Sequence, residues 1–442
     1  MFFEEWFGGN HMDQAQFVTL LKKKGTGLTM SKNLSAEELS QLEVLFKSED
    51  VTLTTKATML TALLMLPSTP EEAAWMAKLR EQPEAILPEA LLFLLSLKAV
   101  SPFEHLALKV LGGESLSEAD CYEAIDYVFD AAVPNYLKAV FLEAERLKRE
   151  TEVENKAFLS AFYAKSQHQK CRTSSLIDLS VSYDGLNRTP IFYVFCAPLL
   201  ASIGYPCVLH GVDEVSPKRG QNTHKLLNLA GKNSVKPLSA VVEDIENAQI
   251  GWGYVDQSES FPELFALKSL RQEMVKRPFI STIEKLLRPV YHETAHCLVT
   301  SYTHPPYKAM LTAVLSEDPG FHRFLILRGL EGSLQLSLEK RAPWVAYHNG
   351  VTETDFVAAS EYGFENQILG EQCDLAFSLE QGLSALKNEH GNARDSILYL
   401  AMVILDKFGL MRPDVSRSAL EESLKSGLAL SHWEKGMVHA QT

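Results

Sequence analysis

The sequence predicts an α/β protein in which a mainly parallel central sheet is flanked by helices and preceded by an all-helical N-terminal domain. Two observations carry this prediction. The chain shows only helical patterns up to about residue 165, and from about Ser174 short β-rich runs alternate with apolar segments long enough for helices. This order gives α/β units whose loops gather at one edge of the sheet, where such sheets bind ligands.

The helical part of the sequence resembles itself at an offset of 82 residues. The match pairs Ser35 with Ser117 and Thr69 with Thr151, and an acid follows each of these hydroxyl residues two or three positions later. A hydroxyl before such an acid is typical of a helix N-cap. Matched caps at one fixed offset favour a duplication over a chance likeness between helices rich in Leu, Ala and Glu.

The later elements follow in order. Strands are predicted at "SLIDLSVSYDG" and "YPCVLHG", with a helix at "TPIFYVFCAPLLASIG" between them, and further strands at "HCLVTSY" and "RFLILRG". The last fifty residues form amphipathic helices, and "AILPEALLFLLSLKAV" is expected to be a buried helix. We therefore predict an extra helical repeat at 1–100, a second helical domain at 101–170 and an α/β domain at 171–442.

Charge and cysteine content limit the function. The formal net charge is −14, which argues against a general nucleic-acid coat, but residues 181–345 carry 17 basic and 16 acidic side chains. An anionic ligand would therefore dock in this middle part. Six scattered cysteines without framework spacing and an acidic N-terminus without a secretory pattern predict a cytoplasmic protein with no membrane partner.

The stretch "VYHETAHCLV" contains the HExxH pattern of zinc peptidases at His292–His296. That pattern binds zinc only on a helix, where two histidines four residues apart share a face. Here it leads into a β-favouring string, and in a strand the two histidines would be about 13 Å apart. A zinc peptidase is thus a remote alternative, and no metal site is predicted.

The pieces named above, with "VLHGVDEVSPKRG", "VKRPFISTIEKLLRP", "ILRGLEGSLQLS" and "GNARDSILYLA", resemble anthranilate phosphoribosyltransferase and its relatives in glycosyltransferase family 3. The resemblance covers roughly residues 104–440. It implies the nucleoside phosphorylase and phosphoribosyltransferase type of fold, and in the enzymes a site for phosphoribosyl pyrophosphate and magnesium.

Several motifs of the enzymes are altered in this chain. The glycine-rich GTGGD loop is replaced by Ser180–Asp184, whose Val and Tyr add bulk where backbone N–H groups would approach pyrophosphate. The NxST segment falls on Pro190–Tyr193, the KHGN motif on Leu209–Val212, and the acidic pair that holds magnesium on Leu334 and Gln335. These losses predict a degenerate site that needs neither magnesium nor phosphoribosyl pyrophosphate, and no catalytic residue is assigned.

"SYDGLNRTP" and "RGLEGSLQLSLEKRAP" resemble more closely a paralogous lineage of the family, which includes homodimeric nucleic-acid-binding proteins. The leading hypothesis is therefore a silent relative that binds single-stranded nucleic acid or a nucleotide. The alternative is an active glycosyltransferase that holds phosphoribosyl pyrophosphate and magnesium in a rearranged site. The predicted ligand-binding residues are Tyr183, Asp184, Gly185, His210, Gly211, Ser216, Lys218, Arg219 and Arg277.

Other residues and the assembly complete the predictions. Tyr183 and His210 are expected to stack on a base. Further candidate anion contacts are Lys225, Lys268, Arg271, Lys276, Arg288, Lys340 and Arg341. Because the helical domain makes the dimer interface in this family, the duplicated domain predicts either a homodimer or an intramolecular pseudo-dimer.

Overall fold

The structure, a computed structural model, describes residues 12–28, 30–348, 350–365 and 373–438. Its α-helices are, in chain order, α1 (Met12–Lys24), α2 (Ala36–Lys47), α3 (Leu53–Met65), α4 (Pro70–Glu81), α5 (Phe93–Ser96), α6 (Pro102–Leu111), α7 (Glu118–Phe129), α8 (Asn135–Lys148), α9 (Glu152–Lys165), α10 (Cys196–Ser202), α11 (Thr223–Leu229), α12 (Leu238–Glu246), α13 (Gln257–Ser260), α14 (Pro262–Ala266), α15 (Lys268–Met274), α16 (Ile280–Ile283), α17 (Pro306–Glu317), α18 (Leu375–Leu386), α19 (Asn392–Lys407), α20 (Pro413–Lys425) and α21 (Leu428–Met437). Its β-strands are β1 (Gln169–Lys170), β2 (Leu176–Leu179), β3 (Cys207–Gly211), β4 (Trp252–Asp256), β5 (Val290–Tyr291), β6 (His296–Ser301), β7 (Arg323–Leu327), β8 (Ala342–His348) and β9 (Val351–Val357). Across the described ranges, every helix is too short or too polar to span a lipid bilayer.

The chain forms two compact units. The helical unit consists of the chain up to Ala161 together with Ala266–Ser281, and the α/β unit consists of Phe162–Phe265 and the chain from Thr282 onward. The predicted second helical domain belongs to the helical unit up to Ala161, whereas its last residues, from Phe162 to residue 170, belong to the α/β unit. The predicted boundary between the repeats stays a prediction.

Several helices of the helical unit begin after a residue whose side chain caps the first turn. At α2, Ser35 accepts a hydrogen bond from the Glu38 N–H, and the Glu38 carboxylate accepts one from the Ser35 N–H. Ser117 and Asp120 form the same reciprocal pair at α7. The predicted caps at the two serines are thus confirmed, and each satisfies N–H groups that a helix leaves unpaired at its start.

Matching positions of the two helical segments make matching contacts. Glu72 accepts a hydrogen bond from the Leu34 N–H at 2.8 Å, and Glu154 accepts one from the Leu116 N–H at 2.7 Å. Helices α3 and α8, which begin 82 residues apart, pack against each other within the helical unit. These paired contacts are what two copies of one repeat would make, whereas the duplication itself stays a prediction.

A seven-stranded sheet forms the centre of the α/β unit, in the order β4-β3-β2-β6-β7-β8-β9. The five strands β4, β3, β2, β6 and β7 pair in parallel. Strands β8 and β9 add an antiparallel hairpin at one edge. All four residues of β2 are buried, as are the five of β3, because helices cover both faces of the parallel part. The predicted mainly parallel α/β fold is confirmed.

The apolar run at residues 85–100 differs from its prediction. Instead of one buried helix it contains short turns and the four-residue α5, and only some of its side chains are buried. Leu97 ends α5 in the left-handed conformation with φ 54°, and its side chain and that of Val100 are exposed. Pro88 lacks the N–H that a helix would need at that position, which breaks the run early.

Candidate functional site

The parallel strands all end at one edge of the sheet, and the loops that follow them carry most of the predicted site residues. The loop after β2 begins at Ser180 and contains Tyr183, Asp184 and Gly185. Strand β3 ends in His210 and Gly211 at the same edge, because β2 and β3 are parallel neighbours. The structure therefore brings the loop at 180–185 next to the end of β3, at the carboxyl edge of the sheet.

Tyr183 and His210 contact each other in the interior of this edge. The Tyr183 hydroxyl is hydrogen-bonded to Nδ1 of His210, and the side chains are only 5% and 2% exposed. Their rings meet edge to face at a centroid distance of 5.6 Å. Neither ring has an exposed face on which a base could stack, because the two side chains are buried against each other. The predicted stacking on a base therefore stays a prediction.

Behind His210 lies the carboxylate of Asp178, which the sequence analysis did not single out. Its Oδ1 is 3.0 Å from His210 Nε2, and its Oδ2 is 3.4 Å from His296 Nε2. Burial alone would raise the pKa of Asp178, but the imidazoles of His210 and His296 hold that pKa below its ordinary value. The result is a buried polar chain that runs from Asp178 through His210 to Tyr183.

A second aspartate–histidine pair lies at the end of β4. His224 Nδ1 is 2.8 Å from Asp256 Oδ2, and the Ser258 hydroxyl donates to Asp256 Oδ1 at 2.6 Å. Burial alone would raise the pKa of Asp256, but these hydrogen bonds lower it. The signal available in the sequence was the position of Asp256 at the end of a short aromatic run, which is where α/β sheets place functional groups.

The loops after β2 and β3 are joined directly to each other. Leu186 and Gln221 exchange two backbone hydrogen bonds of 2.8 Å, and the Gly220 N–H donates to the Asp184 carbonyl at 2.8 Å. A Cβ on Gly185, which has φ +77°, would lie 2.4 Å from the Gln221 carbonyl oxygen. The predicted site glycine thus serves the contact between two loops, since only glycine allows this approach.

The carboxylate of Glu331 accepts hydrogen bonds from the next two residues of the loop after β2. Its Oε2 accepts hydrogen bonds from the backbone N–H groups of Asn187 at 3.1 Å and Arg188 at 2.7 Å. The Lys218 ammonium lies 3.7 Å from Glu331 Oε1 and donates to the Gly185 carbonyl at 3.2 Å. A predicted phosphate contact, Lys218, is therefore paired with a carboxylate of the same unit.

The positions that resemble the magnesium-binding motifs are part of the hydrophobic interior. Leu334 is 0% exposed, and Gln335 Oε1 accepts the Phe192 N–H at 2.8 Å. Ile191 and Tyr193 are also buried in the core beside α10. Among the described residues, His, Cys, Asp and Glu side chains form no group of three or more that could hold a metal ion.

The remaining predicted residues are dispersed. Ser216 is buried in the loop after β3, and Arg219 lies in that loop with its Nε 3.4 Å from Glu214. Arg277 belongs to the helical unit, between α15 and α16, whereas the other predicted ligand-binding residues belong to the α/β unit. Gly211 packs beside the Tyr254 hydroxyl, so its lack of a side chain makes room for that ring.

Two of the further basic candidates have buried side chains, and their role as anion contacts stays a prediction. Arg271 is 1% exposed and donates to the Ser281 hydroxyl at 2.9 Å. Arg288 is 9% exposed, with its guanidinium over the rings of Tyr163 and Phe321. Both side chains are used in packing, which a count of charges along the sequence does not reveal. The other basic candidates lie nearer the surface. Lys225 pairs with Glu214 at 2.7 Å, and Arg341 pairs with Glu361 at 3.9 Å. Lys276 donates to the Lys22 carbonyl, Lys268 belongs to the helical unit, and Lys340 belongs to the α/β unit.

The HExxH stretch does not form a helix. His292 lies in the connection between β5 and β6, where its Nδ1 accepts the Ala295 N–H at 2.9 Å. His296 is the first residue of β6 and is 0% exposed. The predicted strand start is confirmed, and the zinc-peptidase alternative loses the helix that its two histidine ligands require.

Comparisons with known proteins agree with this fold. No protein-family model matches the chain. An uncharacterised protein of Aquifex aeolicus is 30% identical over 222 residues, and the match covers 50% of this chain and 65% of that protein, just under two thirds of its length. The anthranilate phosphoribosyltransferases of Anaeromyxobacter dehalogenans and Sinorhizobium medicae are 23% and 24% identical, over 74% and 75% of this chain and 95% and 99% of theirs.

Solved structures of the same enzyme share the fold. The anthranilate phosphoribosyltransferase of Thermus thermophilus superimposes with a TM-score of 0.64 at 21% identity, covering 75% of this chain and 98% of its own. The Saccharomyces cerevisiae enzyme in complex with PRPP and Mg gives a TM-score of 0.63 at 16% identity, over 76% and 96% of the two chains. The chain is therefore similar in fold to anthranilate phosphoribosyltransferase, and its sequence is distantly similar to that of the enzyme.

Proposed function

We propose that this protein binds the phosphate groups of a nucleotide or a single-stranded nucleic acid at the carboxyl edge of its sheet, and that it does not transfer phosphoribosyl groups. The observation that carries the proposal is the buried state of Leu334 and Gln335, at the positions that resemble the magnesium-binding acidic pair. Leu334 offers no ligand oxygen, and the amide oxygen of Gln335 already accepts the Phe192 N–H. Magnesium prefers carboxylates and water, and neither position supplies a carboxylate.

The backbone of the altered loop supports the loss of catalysis. A pyrophosphate cradle needs several N–H groups that point at the ligand. In this chain the Ser180 N–H donates to the Val299 carbonyl, the Gly185 N–H to Ser182 and the Leu186 N–H to Gln221. These donors are therefore committed to the protein itself. Phosphoribosyl transfer would lack both the metal and the cradle that stabilise its leaving group.

Anion binding is supported by the cations that remain at this edge. The Arg188 side chain is 81% exposed, and those of Lys218 and Arg219 are 26% and 29% exposed. All three belong to loops after β2 and β3, in the part of the sequence whose charges nearly balance. Phosphate contacts by such side chains give binding that weakens steeply as salt concentration rises.

The experiment is a titration of the full chain into fluorescently labelled single-stranded DNA and RNA at low and rising salt, with unlabelled ATP as competitor. We expect binding that weakens with salt, and Lys218→Ala should lower the slope of log K against log salt by about 1. Arg412→Ala, which removes an exposed cation of the C-terminal helices, is the control and should change nothing. Competition by ATP indicates that a nucleotide suffices. Absence of binding to both oligonucleotides and to ATP at low salt overturns the proposal.

A further inference from the structure

We infer that the backbone at Asn187 and Arg188, with Lys218, forms a phosphate-binding subsite that Glu331 fills, so that a phosphate must displace this carboxylate in order to bind. The inference rests on the proposed function for its ligand, and it adds Asn187, Arg188 and Glu331, which the sequence did not single out, to the predicted phosphate contact Lys218. It is carried by the number and kind of donors that converge on one buried carboxylate.

The donors are those that a phosphate requires. Two consecutive backbone N–H groups, of Asn187 and Arg188, point at Glu331 Oε2. The Arg188 guanidinium reaches Oε1 through its Nε at 3.4 Å, and the Lys218 ammonium lies 3.7 Å from the same oxygen. Consecutive N–H groups with an arginine and a lysine form an anion-binding concavity. A phosphate carries more negative charge and more acceptor oxygens than one carboxylate, and it can therefore compete with Glu331 for these donors.

The loop after β7 is shaped to deliver Glu331 to this place. Glu331 has φ 51° and ψ 18°, a left-handed conformation that is unfavourable for a residue with a long side chain. Gly332 follows with φ +78°, where a Cβ would lie 2.1 Å from the Thr303 hydroxyl, and its carbonyl accepts the Ser301 hydroxyl at 2.7 Å. The surrounding contacts thus hold the backbone in this conformation.

The charge state of Glu331 is consistent with this role. Its side chain is only 6% exposed, so burial alone would raise its pKa, but the Arg188 N–H and the Lys218 ammonium hold the pKa below its ordinary value. The carboxylate is therefore ionised at neutral pH and acts as a competing anion. By contrast Arg188 is largely exposed, which leaves the guanidinium accessible to an incoming phosphate.

A purely structural role for Glu331 predicts a different result. If the carboxylate only braces the loop, its removal loosens the loop and weakens the binding of any anion. If it occupies a binding subsite, its removal strengthens the binding of a phosphate. The two roles therefore predict opposite signs for the change in affinity.

The test uses isothermal titration of inorganic pyrophosphate into the full chain at low salt. Glu331→Gln keeps an acceptor oxygen for the Arg188 N–H and should bind pyrophosphate about tenfold more tightly than wild type. Glu331→Asp keeps the net charge but shortens the reach by one methylene, and should also bind more tightly. Glu353→Gln, which removes one exposed acid of β9, is the matched control and should bind as wild type does. Adding Lys218→Met to Glu331→Gln should abolish the gain.

The outcomes separate this inference from the proposed function. If the wild type binds labelled oligonucleotide but neither Glu331 variant gains affinity for pyrophosphate, the inference is overturned and the proposed function stands. If both Glu331 variants gain affinity for pyrophosphate while no variant binds oligonucleotide or ATP, the subsite is supported and the proposed function is overturned. Melting temperatures of all variants establish that each is folded when it is titrated.

Discussion

The Asp178 carboxylate lies 3.0 Å from Nε2 of His210, between neighbouring strands in the interior of the central sheet. A buried carboxylate is stabilised only when other groups supply the interactions that water would make. Here His210 provides the hydrogen bond, and His296 on the other neighbouring strand approaches the second carboxylate oxygen. This cluster joins the three parallel strands β3, β2 and β6 through side chains in the interior of the sheet.

We expect His296 to make the protein less stable in mild acid. Burial lowers the pKa of His296, and Asp178 opposes that shift only in part, while Arg288 and His322 add to it. The unfolded chain therefore takes up this proton more readily than the native one, so the contribution to stability is present above the ordinary pKa of histidine and is lost as the pH falls below it. In urea unfolding at about pH 7 and about pH 5, His296→Asn should lose less stability on acidification than wild type. An equal loss in both proteins would contradict this assignment.

Glu72 is expected to contribute strongly to the stability of the helical unit. Its carboxylate is buried, accepts the Leu34 N–H and lies 2.7 Å from the Lys24 ammonium, which is also buried. Glu72→Ala should lower the free energy of unfolding by about 3 kcal/mol, because it leaves the lysine and the N–H without this partner. Glu71→Ala, at the adjacent exposed position, is the control and should cost less than about 0.5 kcal/mol. Equal losses in urea unfolding would refute the prediction.

In the helical unit, Glu145 predicts a pH dependence of stability opposite to that of His296. Burial and the neighbouring Glu154 raise the pKa of Glu145 to about 8, against the effect of Lys148. The native state therefore holds this proton above the pH at which the unfolded chain releases it, and its contribution to stability is lost as the pH rises from the ordinary glutamate pKa towards about 8. Glu145→Gln should stabilise the protein on the order of 1–2 kcal/mol at about pH 8 and much less at about pH 5. Thermal unfolding of this variant and of Glu123→Gln, an exposed control on α7, measures the difference.

The packing of α3 on α8 predicts a change in assembly. Ala62 and Leu66 at the end of α3 form one buried cluster with Leu147 of α8, so the first helical segment covers apolar surface of the second. We expect that deletion of residues 1–100 exposes this surface and causes self-association, since exposed apolar patches drive association. Light scattering should give a larger oligomer for the shortened chain than for the full chain. If the full and the shortened protein contain the same number of chains per particle, the pseudo-dimer is contradicted.

Much of the fold could be predicted because its signals are local. Strands β2, β3, β6 and β7 are β-rich runs that end in turn residues, and the capped helices carry their hydroxyl and acid at fixed spacing. Strand β4 was missed because Gly253 interrupts it. That glycine has a packing reason, since a Cβ there would lie 2.6 Å from the Val241 side chain. In the sequence alone, a glycine inside a short run weakens the strand pattern, so the run does not stand out as a strand.

The candidate site was predicted less completely, because its contacts join distant parts of the chain. Glu331 and Arg188 are 143 residues apart, and no local pattern indicates that the Glu331 carboxylate accepts a hydrogen bond from the Arg188 N–H. The partners of Asp178 likewise come from two other strands. Residues that resemble a motif position, such as Lys218, could be proposed from the sequence, but their partners depend on tertiary structure. Motif positions thus identified the edge of the sheet, and the structure supplied the contacts within it.

We expect the carboxyl edge of the sheet to bind phosphate without a magnesium clamp and without catalysis. The most direct measurement is calorimetric titration of phosphoribosyl pyrophosphate into the full chain with magnesium and with a chelator, together with the fluorescence of added anthranilate. We expect the same binding isotherm in both conditions, because neither Leu334 nor Gln335 offers a carboxylate, and we expect that anthranilate is not consumed. Binding that requires magnesium, with consumption of anthranilate, would contradict it.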